Sequence, residues 1–396
     1  MRSFSRRNLV KGTALTGAAL AASSLAGCGP EDGAEVKGEP EVITDESKII
    51  NVIDEYESVD NTLEPQLSWD VPLGTVVSHS EGSWAAIMEA PASARAVNTL
   101  GIVSLASGGR SMLVGEPSQG RAFGFHDVCC SDEVYAWVEM SYGGGEWVLL
   151  AQGLENGSLT GKPAELDRGD KEWEPPRFTA TGDSVIWQRM PQPMGAKSSE
   201  FSHCYRWHVG DGRGKDLYES PGRFATWPRV SDGYLTIAPR VNAEDGTFYG
   251  ITAIDLDGNG KVADRLIMPQ NVSPFEAVYM GGRFVFSVEA NYDYGGGLGN
   301  MGTYISSEDG TYVFLSREPL SCVAGKGSTF LIKAQSSHFV VDIAARTYAV
   351  LPAPDKSLDF GDYPASVGTS DCFATFATIR GDDGLPSAVR VRVFSL

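Results

Sequence analysis

Polar and charged residues recur at regular intervals along the chain, each at or just after the end of an apolar run. They are Glu89, Glu139, Arg189, Arg240, Glu289, Gln335 and Arg380. Carboxylates in such positions could serve as general acid and base on a sugar, with their separation deciding the outcome. Mixed charges in a concavity could instead hold a small ligand or a peptide. Charges of both signs could also simply pair with one another, each exposed pair contributing less than about 1 kcal/mol.

Motifs for other chemistries are incomplete. The sequence has no Gly-x-Ser-x-Gly elbow, no Walker loop and no dinucleotide-binding glycine motif. The run 255–260 begins like an EF-hand loop, but Leu266 stands where the twelfth-position acid is required. His203 and His208 are five residues apart, so they would point to opposite faces of a strand. We therefore expect no cofactor and no metal ion.

The polar positions follow an internal repeat of about fifty residues. Five apolar runs end at residues 89, 139, 189, 239 and 289, and two more end at 335 and 378. Hairpin-type turns such as Asn156-Gly157 and Asp257-Gly258 follow the runs, and these residues suit the positive φ angles of two-residue hairpin loops. Each unit therefore predicts four strands joined by short turns.

Four strands in a unit of this length are typical of a β-propeller. Seven units predict an all-β, seven-bladed propeller over residues 49–396, with four antiparallel strands in each blade. Two β-sandwich domains are the alternative, but a sandwich does not require a constant period. The last strand, Ala388–Phe394, would be the third of its blade. Residues 60–72 are expected to supply the fourth strand and close the ring, which removes an exposed edge.

In a propeller, the ends of these runs and the adjoining loops meet at one rim of the central channel. We therefore predict a rim for partner or ligand binding that contains Glu89, Glu139, Arg189, Arg240, Glu289, Arg380, Trp173, Trp227, Tyr292 and Tyr294. Because no catalytic motif is present, the expected function is non-catalytic binding of a protein, peptide or glycan. The alternative is a propeller enzyme, a carbohydrate hydrolase or lyase, that uses the rim carboxylates.

The repeat units resemble those of TolB-like and other periplasmic propeller lipoproteins. The resemblance is carried by Trp227–Leu235 and by the strand runs Tyr135–Trp137 and Val185–Trp187. It covers most of the chain after residue 65, although most units lack the full Ser-Pro-Asp-Gly turn. It implies a fold and not a reaction.

The first 27 residues have the pattern of an export signal, with basic residues, a weakly apolar run and a small-residue site before Cys28. They resemble the signals of bacterial twin-arginine lipoproteins, in which the translocase would read Arg6 and Arg7 and a lipid would be attached to Cys28. An uncleaved membrane anchor is the alternative, but the apolar run is short for a bilayer span. We expect a lipid-anchored protein on the outer face of the bacterial cytoplasmic membrane.

The composition limits the partners. A formal net charge of −19 argues against nucleic acid and against electrostatic binding to anionic lipid. The expected partners are the twin-arginine translocase and the lipoprotein-processing enzymes during export, then an unknown envelope protein or glycan, with the membrane contacted through the lipid alone. Residues 28–48 are acidic and lack aromatic side chains, which predicts a disordered tether. Five further cysteines leave an odd thiol, and Cys322 with Cys372 is the favoured bridge.

Overall fold

The computed structural model describes residues 39–79, 81–91, 93, 96–243, 246–258, 260–358 and 360–396. The predicted signal over 1–27, with Arg6 and Arg7, and the predicted lipid site at Cys28 lie outside these residues. The described part is almost entirely β-structure. None of the helices in this part is long and apolar enough to span a bilayer.

The chain enters the fold through a segment of short elements. It contains a 3-10 helix (Glu46–Lys48), β1 (Ile49–Asn51), the helix α1 (Val52–Glu55), β2 (Glu57–Ser58) and β3 (Leu67–Pro72). These strands join sheets that are formed mainly by residues much later in the sequence.

The next three sheets each have four consecutive strands in spatial order. Sheet 1 contains β4 (Val76–Ser78), β5 (Trp84–Glu89), β6 (Thr99–Ser104) and β7 (Arg110–Val114). Sheet 2 contains β8 (Gly124–Cys130), β9 (Val134–Ser141), β10 (Glu146–Glu155) and β11 (Ser158–Gly169). Sheet 3 contains β12 (Arg177–Thr181), β13 (Ser184–Arg189), β14 (Ser202–His208) and β15 (Lys215–Ser220).

Sheets 4 to 6 repeat this arrangement with additions. Sheet 4 contains β16 (Arg229–Ser231), β17 (Tyr234–Ile237), β18 (Arg240–Ala243), β19 (Gly246–Asp255) and β20 (Lys261–Ile267), where β17 and β18 both pair with β19. Sheet 5 contains β21 (Glu276–Met280), β22 (Arg283–Val288), a 3-10 helix (Gly296–Gly299), β23 (Gly302–Ser306) and β24 (Tyr312–Leu315), and β1 pairs in parallel with β24. Sheet 6 contains β25 (Ala324–Lys326), β26 (Thr329–Ala334), β27 (Ser337–Asp342) and β28 (Thr347–Leu351), and β2 pairs in parallel with β28.

The last sheet is composite. It contains β29 (Tyr363–Pro364), β31 (Cys372–Arg380), β32 (Pro386–Ser395) and β3 from the N-terminal segment, while β30 (Gly368–Thr369) pairs with β25 of sheet 6. The antiparallel pairing of β3 with β32 confirms that residues within 60–72 supply the missing strand.

The fold is an all-β propeller with mostly four-stranded antiparallel blades, as predicted. The structure has six blades, each formed mainly by its own continuous segment of the chain. The repeat predicted seven. The physical reason is that the last repeat has three strands of its own, one of them only two residues long. The predicted hairpin turn at Asn156-Gly157 is present, with φ angles of 49° and 75°.

The predicted tether ends earlier than residue 48. Ile43 is only 4% exposed and belongs to the core that sheets 4 and 5 share. The backbone N–H of Glu41 donates to the carbonyl of Ile267 at 2.9 Å, and the N–H of Gly297 donates to the carbonyl of Ile43 at 2.7 Å. The buried side chain of Ile43 and these two backbone hydrogen bonds therefore fix residues 41–43 to the propeller.

The cysteines do not form the favoured bridge. Cys129, Cys130, Cys204 and Cys322 are buried, Cys372 is partly exposed, and all five have free thiols. Cys322 lines the central channel, whereas Cys372 begins the second strand of the composite sheet. The two residues serve different parts of the fold.

Candidate functional site

The seven sheets surround a central cavity of about 240 Å³. Each sheet contributes its innermost strand or the residues beside that strand. The contributing residues include Ser78, Asp127, Thr179, Arg229, Glu276, Cys322 and Ala365, one from each sheet in chain order. The cavity therefore brings together polar groups that are far apart in sequence.

Asp127 is a cavity carboxyl that the sequence did not predict. In the pairing of β8 with β9, Phe125 lies opposite Glu139 and Asp127 lies opposite Val138, so His126 is an extra residue that forms a β-bulge. Bulges redirect side chains and occur often beside active sites. The bulge explains why alternation along the strand does not give the orientation of Asp127.

The environment of Asp127 makes its carboxyl unusual. Its Oδ1 accepts a hydrogen bond of 2.8 Å from the N–H of Val128. Burial raises the pKa of Asp127 to about 6, although the Val128 N–H and the charge of Arg229 both act to lower it. A carboxyl with a pKa close to neutral can both take up and release a proton, which is the requirement for general acid–base catalysis.

A two-point ion pair lies beside Asp127. Arg229 Nη2 is 2.8 Å from Glu276 Oε1, and Arg229 Nε is 3.1 Å from Glu276 Oε2. Desolvation acts to lower the pKa of Arg229, but Glu276 and other neighbouring groups outweigh it and raise this pKa, so the guanidinium stays charged. The two hydrogen bonds to Glu276 use Nε and Nη2 and not Nη1, and the guanidinium also interacts with the Cys322 thiol. Nη1 could bind a carboxylate or another anion.

The thiols of Cys129 and Cys322 and the hydroxyl of Ser366, all in the cavity wall, are poorly suited to act as nucleophiles. Burial raises the pKa of Cys322 to about 12, and burial also holds the pKa of Cys129 well above its usual value. Both thiols are therefore neutral and weakly reactive at neutral pH. Ser366 is fully buried, and its Oγ contacts His79 Nδ1 at 3.1 Å and donates to the carbonyl of Cys372 at 3.2 Å. This serine holds the composite sheet in place.

The two ends of the channel differ. We call the end with the loops between second and third strands, and the connections between sheets, the rim face. The end with the remaining turns is the turn face. At the turn face, Glu81 of sheet 1 accepts hydrogen bonds from Thr181 Oγ1 at 2.9 Å and from the N–H of Gly182 in sheet 3. Asp232 of sheet 4 accepts from the N–H of Gly281 at 2.9 Å and from Thr369 Oγ1 at 2.7 Å.

Three of these bonds join sheets that are not neighbours, because Glu81 links sheet 1 to sheet 3 and Asp232 of sheet 4 reaches Thr369 of β30, which pairs with sheet 6. The bond from Gly281 joins the adjacent sheets 4 and 5. Ser131 Oγ of sheet 2 adds a bond of 2.5 Å to the carbonyl of Gly182. The turn face is thus cross-linked over the channel. A ligand for the cavity would enter from the rim face.

Several predicted rim residues have structural partners. Glu139 is fully buried, and it accepts hydrogen bonds from Trp137 Nε1 at 3.1 Å, the N–H of Gln119 at 2.9 Å and Ser118 Oγ at 3.1 Å. It fixes the connection between sheets 1 and 2. Its three donors account for the carboxyl without a ligand.

Arg189 and Trp173 do meet, as the rim prediction requires. The guanidinium of Arg189 lies 4.2 Å from the ring centroid of Trp173, and Arg189 also pairs with Asp167. Lys197 Nζ lies 5.0 Å from the same ring centroid. Since Trp173 is buried, this cluster packs the rim between sheets 2 and 3.

The other predicted rim residues are spread over the face. Glu89 pairs with Arg110 at 2.6 Å, Arg240 lies 3.6 Å from the ring centroid of Tyr249, and Arg380 Nη1 donates to the carbonyl of Gly384 at 2.9 Å. The remaining four are Trp227, which lines the cavity, Tyr292, which is half-buried, and Glu289 and Tyr294, which are exposed. Of the ten residues, Trp227 alone is part of the central cavity. No group of three or more metal-ligating side chains occurs within the described ranges.

The fold matches solved structures, although no family model matches the chain and no curated protein matches its sequence. A prolyl endopeptidase structure matches with a TM-score of 0.51 and 11% identity, over 81% of this chain and 50% of the other. The β-propeller domain of the Trilobed protease from Pyrococcus furiosus matches with a TM-score of 0.50 and 12% identity, over 76% of this chain and 91% of that domain's chain. Puromycin hydrolase matches with a TM-score of 0.50 and 11% identity, over 82% of this chain and 53% of the hydrolase chain.

At this identity the likeness shows the propeller fold alone. The chain spans about half the length of the prolyl endopeptidase and puromycin hydrolase chains. The matched proteins are peptidases and a hydrolase by name, and this finding contradicts the prediction of a non-catalytic binding propeller. That prediction was wrong.

Proposed function

We propose that the protein is an enzyme whose reaction takes place in the central cavity. Asp127 acts as the general base or acid, and Arg229 holds a negatively charged group of the substrate. The observation that carries the proposal is a carboxyl with a pKa of about 6 in a cavity that also contains an arginine whose Nη1 is not bonded to Glu276. Asp127 lines the channel, whereas the enzyme alternative from the sequence used the carboxylates of the rim.

The chemistry follows from the charges. At pH 7 Asp127 is mostly ionised, so it would accept a proton from an attacking water in a hydrolysis, or from carbon in an elimination. Glu276 holds Arg229 in a fixed orientation through two hydrogen bonds, which leaves Nη1 for a substrate carboxylate. The volume corresponds to about eight water molecules, which suits one sugar-acid ring or one terminal amino acid.

The test is turnover by the full chain on two substrate panels. One panel holds uronic-acid oligosaccharides and the other holds peptides with a free carboxyl terminus, because both present a carboxylate. Replacement Asp127→Asn is expected to lower kcat/KM by about a hundredfold or more. Glu308→Gln removes one carboxylate at an exposed turn and serves as the matched control. Turnover by wild type that Asp127→Asn leaves unchanged would overturn the proposal.

We also propose that the protein is exported through Arg6 and Arg7 and anchored by a lipid on Cys28. The support is the order of basic residues, apolar run and small residues before Cys28. Metabolic labelling with a fatty acid should mark wild type and fail to mark Cys28→Ser. The resemblance to TolB-like propellers and an envelope protein or glycan as partner stay predictions.

We further propose that the composite sheet acts as a seventh blade. Its support is that the strand order β29-β31-β32-β3 follows the inner-to-outer order of the other sheets, and that residues 364–367 line the same cavity. Asp70 of β3 and Arg390 of β32 are joined by two hydrogen bonds of 2.7 and 2.9 Å. Removal of β3 should therefore open the ring and abolish cooperative unfolding.

A further inference from the structure

Exposed apolar side chains are concentrated on the rim face. Among the described residues, six large apolar side chains are more than half exposed, and five of them lie in rim-face loops or connections. These five, the apolar crown, are Tyr142, Met194, Tyr294, Phe360 and Leu385, and they are 58% to 96% exposed. The sixth, Met112, lies in the outer strand of sheet 1. A concentration of this kind marks an interaction surface.

The crown surrounds the channel and is not confined to one blade. Tyr142, Met194, Tyr294 and Leu385 lie between the second and third strands of sheets 2, 3, 5 and the composite sheet. Phe360 lies in the connection from sheet 6 to the composite sheet. Side chains spread around the ring cannot all bury themselves against one another, so they suit a flat, continuous apolar surface.

The turn face has a different character. Its large apolar side chains with notable exposure are Val209 and Val262, each 42% exposed, and its turns contain acids such as Asp211 and Glu308. The two ends of the propeller therefore differ in the exposure of their large apolar side chains, while both contain exposed acids, such as Glu289 and Asp293 at the rim face. This difference selects one end for contact with an apolar partner.

The N-terminal end of the described chain lies at the rim face. Glu41 bonds to Ile267, which ends the last strand of sheet 4, and Ile43 bonds to Gly297 in the loop between the second and third strands of sheet 5. Cys28 precedes Glu41 by 41 − 28 = 13 residues. However those residues are arranged, the chain can place Cys28 at most roughly 45 Å from this face.

We propose that the rim face lies on a lipid bilayer, with the apolar crown inserted at the interface. Tyrosine, methionine, leucine and phenylalanine are side chains that enter this region favourably. The acidic chain gives no electrostatic attraction to anionic lipid, so the contact is apolar. The inference rests on the proposed lipid at Cys28 for its orientation, and its test does not depend on the proposed catalysis. It adds a second membrane contact, and it means that a substrate of the anchored protein reaches the cavity from the membrane side.

The experiment measures binding to neutral phosphatidylcholine vesicles. The parent protein is the full chain with Cys28→Ser, which cannot receive the proposed lipid. The crown variant adds Met194→Ser, Tyr294→Ser and Leu385→Ser. The matched control adds Met112→Ser, Val209→Ser and Val262→Ser, which also removes three exposed apolar side chains. Circular dichroism and thermal unfolding verify that each protein is folded.

We expect the Cys28→Ser protein to bind the vesicles. The crown variant should bind them with an affinity at least about tenfold lower. The control should bind like its parent, and added salt should leave binding unchanged because no charge attraction is involved. Absence of binding by the parent, or an equal loss in the crown variant and the control, would overturn the proposal. Turnover in solution is measured separately, so failure of the catalytic proposal would be recognised as a different result.

Discussion

Two carboxyl side chains of sheet 2 show how similar positions acquire different roles. Glu139 lies on β9 and Asp127 on the neighbouring strand β8. Glu139 is fully buried and accepts three hydrogen bonds, whereas the hydrogen bond that Asp127 accepts comes from its own neighbour Val128. A carboxyl whose acceptors are all used stabilises the fold. A carboxyl that is desolvated with few donors keeps a high pKa and is available for chemistry.

The comparison extends to the two faces of the propeller. At the turn face, Glu81 and Asp232 have their acceptors engaged in bonds between sheets. At the rim face, exposed loops surround the entrance to the cavity. The turn face therefore stabilises the ring, and the rim face remains available for substrate and membrane.

The largest expected effect on stability comes from Glu139. Glu139→Ala would leave the buried Trp137 Nε1 and the partly buried N–H of Gln119 without acceptors. The free energy of unfolding should fall by about 3–5 kcal/mol, because each buried unpaired donor costs about 1–3 kcal/mol. Urea denaturation measures this change. Glu139→Gln keeps an acceptor and should lose less, and an unchanged midpoint in Glu139→Ala would remove the distinction between the two carboxyls.

A smaller loss is expected when the ion pair in the cavity is broken. Arg229→Met leaves Glu276 without its two donors, and the free energy of unfolding should fall by about 2–4 kcal/mol. Both side chains keep slight solvent contact, 21% and 12%, which limits the effect. The double variant Arg229→Met with Glu276→Met should recover part of the loss in the same denaturation experiment. A double variant no more stable than Arg229→Met would contradict the pairing.

Asp127 should make stability depend on pH in the opposite sense from most acids. Its pKa in the folded protein, about 6, is above its ordinary value of 3.8, so the folded state binds more protons between these pH values. Stability should therefore fall as the pH rises from 4 to 6, by about 2–3 kcal/mol from this residue. Asp127→Asn should be at least as stable as wild type at pH 7 and should lack this contribution. Denaturation at pH 4, 5, 6 and 7 measures it, and identical pH curves would be the contrary result.

The smallest effect is expected at the exposed rim. Glu289→Gln and Tyr294→Ser change side chains that are exposed, so the free energy of unfolding should change by less than about 0.5 kcal/mol. Thermal unfolding of the two variants measures this. A loss comparable with that of Glu139→Ala would show that the rim-face loops also stabilise the ring.

Much of the fold could be predicted because its signals are local. The fifty-residue period and the Asn-Gly and Asp-Gly turns follow from strand and hairpin geometry, and the unpaired strand Ala388–Phe394 led to its partner near residue 70. The anchoring of Glu41 and Ile43 could not be predicted, because their respective partners Ile267 and Gly297 are more than two hundred residues away. The same holds for the count of continuous blades, which depends on how the last repeat is completed.

The candidate site could be predicted only in part. The repeat directed attention to the strand ends, where Glu139 and Arg189 have structural partners. The cavity residues occupy different positions along the inner strands, from the first residue at Arg229 and Glu276 to the last at Ser78. Arg229 and Glu276 are also 47 residues apart in sequence. The β-bulge at His126 shifts the alternation that would have placed Asp127. A charged residue inside an otherwise apolar inner strand was the available signal.

The most direct measurement is the titration of the Asp127 carboxyl by NMR, with aspartate labelled at the side-chain carbon and Asp127→Asn used to assign the resonance. The account predicts that this resonance titrates with a pKa of about 6. A resonance that titrates near the ordinary aspartate value of 3.8 would show that the cavity does not desolvate the carboxyl. It would then contradict the claim that Asp127 is the reacting group.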